Sequence, residues 1–264
     1  MYGTVIETQR LSPTMVRVIL GGEGLDGYQP APHTDQYVNA LFIPDGAPYA
    51  VPFDMETARA EAPEHRPRGR RYTIRRWDPV ARTVAIDFVV HGDVGYAGRW
   101  AASATPGDLL QFVGPSGGYA PDPDAAWYLM VGDESAVPAI AASLEALRPG
   151  AVAHAVVVVD DAESYLELSS PAELHVSWLH RHPDGLTPDD VVAAVRGLTA
   201  PEGAPEVFVH GEAAEIRAVR KYLVAERGVD REGASISPYW RRGATDEAWR
   251  EVKAAWTAEM RADA

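Results

Sequence analysis

Apolar positions in the first half of the chain come in short runs with strand character. Thr4–Thr8, Met15–Leu20, Tyr37–Ile43, Arg71–Arg76, Thr83–His91 and Asp108–Val113 are rich in Val, Ile, Tyr or Phe, and clusters of Gly, Pro and Asp separate them. Strands at this spacing, with no long helix among them, predict an antiparallel barrel. Residues 44–69 show no clear period and hold five prolines. They predict a long excursion with a short helix near Met55–Ala62. A second short helix is predicted near Ala97–Ala102.

The pattern changes after about Pro123. The compact apolar run Trp127–Val131 ends in Gly132-Asp133-Glu134-Ser135, and a helix follows with Val137, Ile140, Ala141, Leu144 and Leu147 on one face. Ala151–Val159, Leu174–Leu179, Glu206–His210 and Ser235–Trp240 read as further strands. Helices are predicted from Thr187 as N-cap to Val195, over Ala213–Arg227 with Gly228 as stop, and beyond Thr245 with Trp249, Val252, Trp256 and Met260 on one face. Alternating strands and helices predict an open parallel sheet, whose ligands sit beyond the carboxyl ends of the strands. The turn-rich segment 120–125 separates an expected domain over residues 1–122 from one over residues 123–264.

Composition narrows the chemistry. The 264 residues are enough for two domains with ordinary cores. Zero Cys excludes disulfides, thiolate zinc sites, iron–sulfur clusters and a thiol nucleophile. A net charge of −14 argues against nucleic-acid binding. No apolar run is long enough to span a membrane, and Met1–Arg10 lacks the basic and apolar regions of a signal peptide, so a soluble cytoplasmic monomer is expected. The histidines form no metal-binding spacing and read as structural or solvated. One asymmetry stands out. Of 24 basic residues, 22 are Arg, and six of these fall between Arg66 and Arg76.

Four stretches carry candidate chemistry. In Arg70-Arg71-Tyr72-Thr73-Ile74-Arg75, a tyrosine and a hydroxyl suit a flavin ring and its chain, and an arginine suits a pyrophosphate. An exposed strand with solvated arginines is an equally good reading. His91 to Ala101 runs from a strand through a glycine turn into a helix, a phosphate-binding shape that is also an ordinary turn. Gly132 to Ile140 is a strand-to-helix turn where a nicotinamide dinucleotide would lie, although it is not G-x-G-x-x-G and equally suits a plain acidic helix start. Tyr239-Trp240-Arg241-Arg242-Gly243 could cover a flavin and face an anion, or anchor a core through Trp240. Glu212 could hold a cofactor edge or begin a helix.

In this order and at these separations, the four stretches resemble the siderophore-interacting protein family, FAD-dependent ferric-siderophore reductases of the ferredoxin-reductase-like superfamily. Arg10–Val18, Thr34–Val38, Pro106-Gly107-Asp108 and Gly114–Gly118 extend the resemblance over nearly the whole chain. It implies an N-terminal six-stranded antiparallel FAD-binding barrel followed by a C-terminal parallel-sheet NAD(P)H-binding domain. It implies that Arg70, Tyr72, Thr73 and Ile74 touch the flavin and its chain, and that Asp87, Val89 and His91 line the adenine and ribityl side. Gly95, Ala97, Gly98, Arg99 and Trp100 would wrap the pyrophosphate, and Gly132, Asp133, Glu134 and Ala136 the nicotinamide. The chain departs from the family pattern at Asn39, where a lysine is frequent, and at Tyr96 and Gly98, where a proline and a serine are usual. Arg241, Arg242 and Lys253 are the candidate cations for an anionic ferric siderophore.

The activity so implied takes electrons from NADH or NADPH through FAD to siderophore-bound Fe(III), releasing Fe(II). No protein acid, base or nucleophile is required, because the cofactor carries the chemistry. Asp160-Asp161 would hold a ribose or repel a 2′-phosphate, which favours NADH. The alternatives are a related flavoenzyme serving free flavin or a protein such as a ferredoxin, and a non-enzymatic holder of FAD and ferric siderophore.

Overall fold

The computed structural model describes residues 1–90, 95–183, 185–230 and 233–263, which form two compact units, Met1–Ala120 and Pro121–Ala264. His91, a candidate site residue, lies outside the described residues.

The first unit is a closed six-stranded barrel in the order β1-β2-β5-β4-β3-β6. Its strands are β1 (Tyr2–Ser12), β2 (Met15–Gly21), β3 (Tyr37–Phe42), β4 (Arg68–Asp78), β5 (Thr83–Val89) and β6 (Leu109–Ser116), joined by antiparallel ladders. Alternation fills the interior with Val16, Val18 and Leu20 from β2, Val84, Ile86 and Phe88 from β5, and Leu110 and Phe112 from β6. Helix α1 (Met55–Glu61) lies in the excursion, capped by Asp54 accepting from the Thr57 amide. Helix α2 (Tyr96–Ser103) adds Ala97, Ala101 and Trp100 to the barrel core.

Strand β4 is longer than its apolar pattern suggests, because pairing with β3 from Tyr37–Thr73 to Phe42–Arg68 carries it back through the arginines. A register shift between Ile74 and Arg76 changes the phase of the strand. Tyr72 and Ile74 therefore pack into the core before the shift, and odd-numbered Trp77 does so after it, against Tyr28 at 4.7 Å.

The second unit is a parallel sheet in the order β11-β10-β7-β8-β9. It is built from β7 (Tyr128–Asp133), α3 (Val137–Glu145), β8 (Val152–Val159), β9 (Glu173–His180), α4 (Pro188–Arg196), β10 (Glu206–Glu212), α5 (Ala213–Arg227), β11 (Ser235–Trp240) and α6 (Asp246–Ala262). Every residue of the central strand β7 is buried, as expected for a strand covered on both faces. Helix α4 opens on a capping box between Thr187 and Asp190. Helix α5 buries Ile216, Val219 and Leu223 and stops at Gly228, whose φ of 65° is left-handed. The buried Arg220 of α5 donates to the carbonyls of Met260, Arg261 and Asp263 and so satisfies the end of α6.

Phe88 links the barrel core to α2. It is fully buried, 4.4 Å from Tyr72 and 5.7 Å from Trp100 between ring centroids. Phe88→Ala is expected to destabilise the barrel by about 3–5 kcal/mol. Thermal unfolding followed by near-ultraviolet circular dichroism would read this as a lowered transition; an unchanged midpoint would contradict the packing described.

Candidate functional site

In the barrel unit, alternation along β4 sends Arg68, Arg70 and Tyr72 to the side where α2 begins. The Arg68 and Arg70 guanidinium carbons each lie 5.8 Å from the centroid of the Tyr96 ring, the first residue of α2. The helix starts after Gly95, at φ 82°, with no side-chain cap, so its first amides keep their donor capacity. Among the described residues, a Cβ on Gly95 would meet nothing within 4 Å. The Arg68 Nε atom is buried and has no hydrogen-bond partner among the described residues. Unpartnered buried donors are rare. Two guanidiniums, one with a spare buried donor, beside an uncapped helix start suit a pyrophosphate. The donor set therefore fits the phosphates of FAD.

The other barrel residues singled out by sequence take varied places. Tyr72 lies against Phe88, Thr73 is 7% exposed, and Ile74 is sunk in the core. Asp87 is buried and paired bidentately by Arg17 of β2, at 2.6 and 2.8 Å. Val89 pairs with Met15 on the same ladder. Ala97 and Gly98 are buried under the start of α2, and exposed Arg99 reaches Asp45 at 3.4 Å. Asn39 pairs with Arg71, and its amide blocks any side chain at Gly69, where a Cβ would come within 2.7 Å. Arg68 and Tyr96 were not among the candidate binding residues. The signal for Arg68 was the two-residue period it shares with Arg70 and Tyr72.

In the sheet unit, the carboxyl ends of β7, β8, β9 and β10 gather a buried ionic network. Asp133 is 1% exposed. One carboxylate oxygen accepts from the Ser135 amide and hydroxyl, the other from the Glu212 amide and Trp240 Nε1 at 2.9 and 2.7 Å. Arg181, just after β9, donates through one nitrogen to both oxygens of Glu134 at 2.8 and 2.7 Å and to Asp160 at 3.1 Å. Its guanidinium also lies 5.8 Å from the Trp240 ring centroid. The Arg242 amide donates to Glu212 and its side chain to Glu215 at 2.9 Å. Gly132 and Gly211 make this crowding possible: a Cβ on Gly132 would sit 2.6 Å from the His210 carbonyl, and one on Gly211 2.7 Å from Asp133. Ala136 packs under the turn, and exposed Arg241 follows Trp240.

Burial pushes the Glu134 carboxyl up to about 7, with Arg181 pulling it partway back and Asp133 adding to the rise. Burial and Asp133 likewise push Glu215 up to about 7. His210 is held neutral by burial and by the charge of Lys253. It packs on Phe208 and meets Ser235 at 2.9 Å. Lys253 thus stands near His210, whereas Arg241 and Arg242 line a groove to which it does not contribute. Arg181 and Glu215 were absent from the candidate residues; each is isolated in sequence and gains meaning only where strands end side by side.

Compared with known proteins, the chain belongs to the siderophore-interacting protein family. Residues 4–119 match the siderophore-interacting FAD-binding domain and residues 125–243 the siderophore-interacting protein domain. It is 35% identical to the ferric vibriobactin reductase ViuB of Vibrio cholerae, over 94% of this chain and 92% of that protein. It is 31% identical to the NADPH-dependent ferric-chelate reductase of Escherichia coli, over 90% and 91%. The crystal structure of the siderophore-interacting protein SipS from Aeromonas hydrophila matches with a TM-score of 0.82 at 30% identity, covering 98% of each chain. The FAD/NAD-binding domain of a Vibrio cholerae nitric oxide dioxygenase shares the fold, with a TM-score of 0.65 at 15% identity.

The two raised carboxyls give a signed expectation. A proton held more tightly in the folded state stabilises the fold below pH about 4.5, and that contribution is lost as pH rises through about 7. Glu134→Gln and Glu215→Gln remove the titration. The midpoint of each variant relative to wild type should therefore rise between pH 5 and pH 8 in thermal melts. A difference that stays flat with pH would show that these groups are not raised.

Proposed function

We propose that the protein is an FAD-dependent reductase that takes electrons from a reduced nicotinamide cofactor and delivers them to siderophore-bound ferric iron. The observation that carries the reading is the Arg68–Arg70 pair at the start of α2, with a buried Arg68 donor that has no partner among the described residues, in a chain matched along most of its length by the siderophore-interacting family.

When bound, FAD supplies the exchange of a two-electron hydride for single electrons, which a one-electron acceptor such as Fe(III) requires. The protein's own part is binding and placement. Arg68 and Arg70 neutralise the pyrophosphate, with Tyr96 holding both guanidiniums and the α2 amides completing the cradle. Tyr72 and Thr73, on neighbouring positions of β4, offer a ring and a hydroxyl to the flavin. Fe(II) is held far less tightly than Fe(III) by hard oxygen chelators, so reduction is itself release.

At the carboxyl end of the sheet, Gly132 and the turn after it would receive the nicotinamide half of the donor, beside Asp133 and Glu134. Asp160 has 27% of its side chain exposed, whereas Arg181 has 10% and donates through one nitrogen to Glu134 and Asp160. The acid faces solvent more than the cation does. This arrangement favours ribose hydroxyls over a 2′-phosphate, and so NADH over NADPH.

Two measurements test the reading. Arg68→Gln and Arg70→Gln should each weaken FAD binding about tenfold or more, read from the visible flavin band after ultrafiltration. The flavin-loaded protein should bleach anaerobically with NADH and recolour on addition of ferric hydroxamates or catecholates, with Fe(II) trapped by a ferrous chelator. A protein that binds no FAD would sink the proposal, and one that binds it but bleaches with no donor would be a holder and not a reductase. In steady state, kcat/KM should be higher with NADH than with NADPH, and Asp160→Asn should narrow the ratio; a clear NADPH preference in the wild type would overturn the donor assignment.

A further inference from the structure

We propose that the groove between α5 and α6 binds a small dianion that carries a flat ring. The groove is open, has a volume of about 490 Å³ and lies wholly within the second unit. That volume is in the range of small-molecule sites. Asp133, Glu134 and Asp160 do not line it.

Its charge runs against the chain. Arg217, Lys221, Arg241 and Arg242 stand there against the carboxylates of Glu212 and Asp263, a formal excess of two positive charges in a protein of net charge −14. The two acids are already engaged. Glu212 accepts from the amides of Ala214, Glu215 and Arg242, and Asp263 accepts from Arg217 Nε. The start of α5 is therefore satisfied by Glu212, and side-chain cations would hold the ligand. Arg242 is bonded to Glu215, whereas the side chains of Lys221 and Arg241 are exposed and make no hydrogen bond or salt bridge among the described residues. Two cations with no hydrogen-bonded acid, beside two that have one, suit a ligand with two negative charges.

The groove already receives one anionic group. The Arg217 hydrogen bond, with the charges of Lys221 and Arg220, holds the Asp263 carboxyl below its ordinary range. A carboxylate from the chain itself thus shows that this surface accepts anionic oxygen. The ring requirement comes from the wall and the floor. Trp256 is half-buried, with the Arg217 guanidinium 5.4 Å from its ring centroid, and beside its cations Arg217 and Lys221 α5 presents the methyl groups of Ala214 and Ala218, one turn apart. A flat group can lie on methyls and against indole where a branched side chain would have filled the space.

The test uses the FAD-loaded protein and calorimetric titration at low salt with adenosine monophosphate, phthalate, inorganic phosphate and adenosine as probes. Binding of adenosine monophosphate or phthalate is expected, with inorganic phosphate about tenfold weaker and adenosine silent. Tighter adenosine monophosphate would assign a phosphorylated ligand, and tighter phthalate an aromatic carboxylate. Lys221→Gln with Arg241→Gln should weaken the ring-bearing dianion about tenfold or more while leaving the flavin spectrum and melting midpoint unchanged. Trp256→Leu should reduce its affinity to that of inorganic phosphate. No binding at millimolar probe, affinity unchanged in the double variant, or inorganic phosphate binding as tightly as the ring-bearing probes would each overturn the proposal.

Discussion

The sheet unit is organised around one buried charge. Asp133 ends the central strand, and desolvating its carboxylate would cost several kcal/mol if it stood alone. Four donors offset that cost: the Ser135 amide and hydroxyl from its own turn, the Glu212 amide from the end of β10, and the Trp240 indole from the end of β11. One side chain thereby holds three strand ends in register. The glycines at 132 and 211 follow from the same constraint, since a methyl group at either would displace a backbone carbonyl or this carboxylate. Glu134 and Glu215 are raised by burial in the same region, and the Asp133 charge adds to the rise in both.

Arginine does nearly all the cationic work, and the structure shows why. Guanidiniums lie against rings at Tyr96, Tyr37, Trp240, Tyr222 and Trp256. They also pair bidentately with Asp87 and bind three carbonyls at the end of α6. A lysine ammonium has neither the flat face nor the fork for these contacts. The overall charge of −14 thus coexists with local positive sites, where these guanidiniums are held in place by an aromatic ring, an acid or a carbonyl.

Element type was readable along most of the chain because both periods are simple. A period of two marks the barrel strands, and continuous apolar runs flanked by Gly and acidic residues mark the sheet strands. The extent of β4 was not readable. Arg68 and Gly69 carry no apolar signal, and their strand conformation comes from the β3 ladder. This hid Arg68, the residue whose unpartnered donor most directly indicates a phosphate. Tyr96 was visible as a departure from the family pattern, but its part in holding two arginines depends on where α2 meets β4.

By itself the sequence determined the two-part architecture, the absence of any sulfur-based redox centre, and the four stretches where chemistry concentrates, because composition and period are local properties. Tertiary structure decided which charges meet. Glu134 and Arg181 are 47 residues apart, Asp133 and Glu212 79, and Asp133 and Trp240 107, and strand order alone brings them together. It also decided that Lys253 stands by His210 while Arg241 and Arg242 face a groove with Trp256. Electrostatic pairing acts over a few ångströms in space, and no pattern along the chain encodes that distance before the strands are ordered.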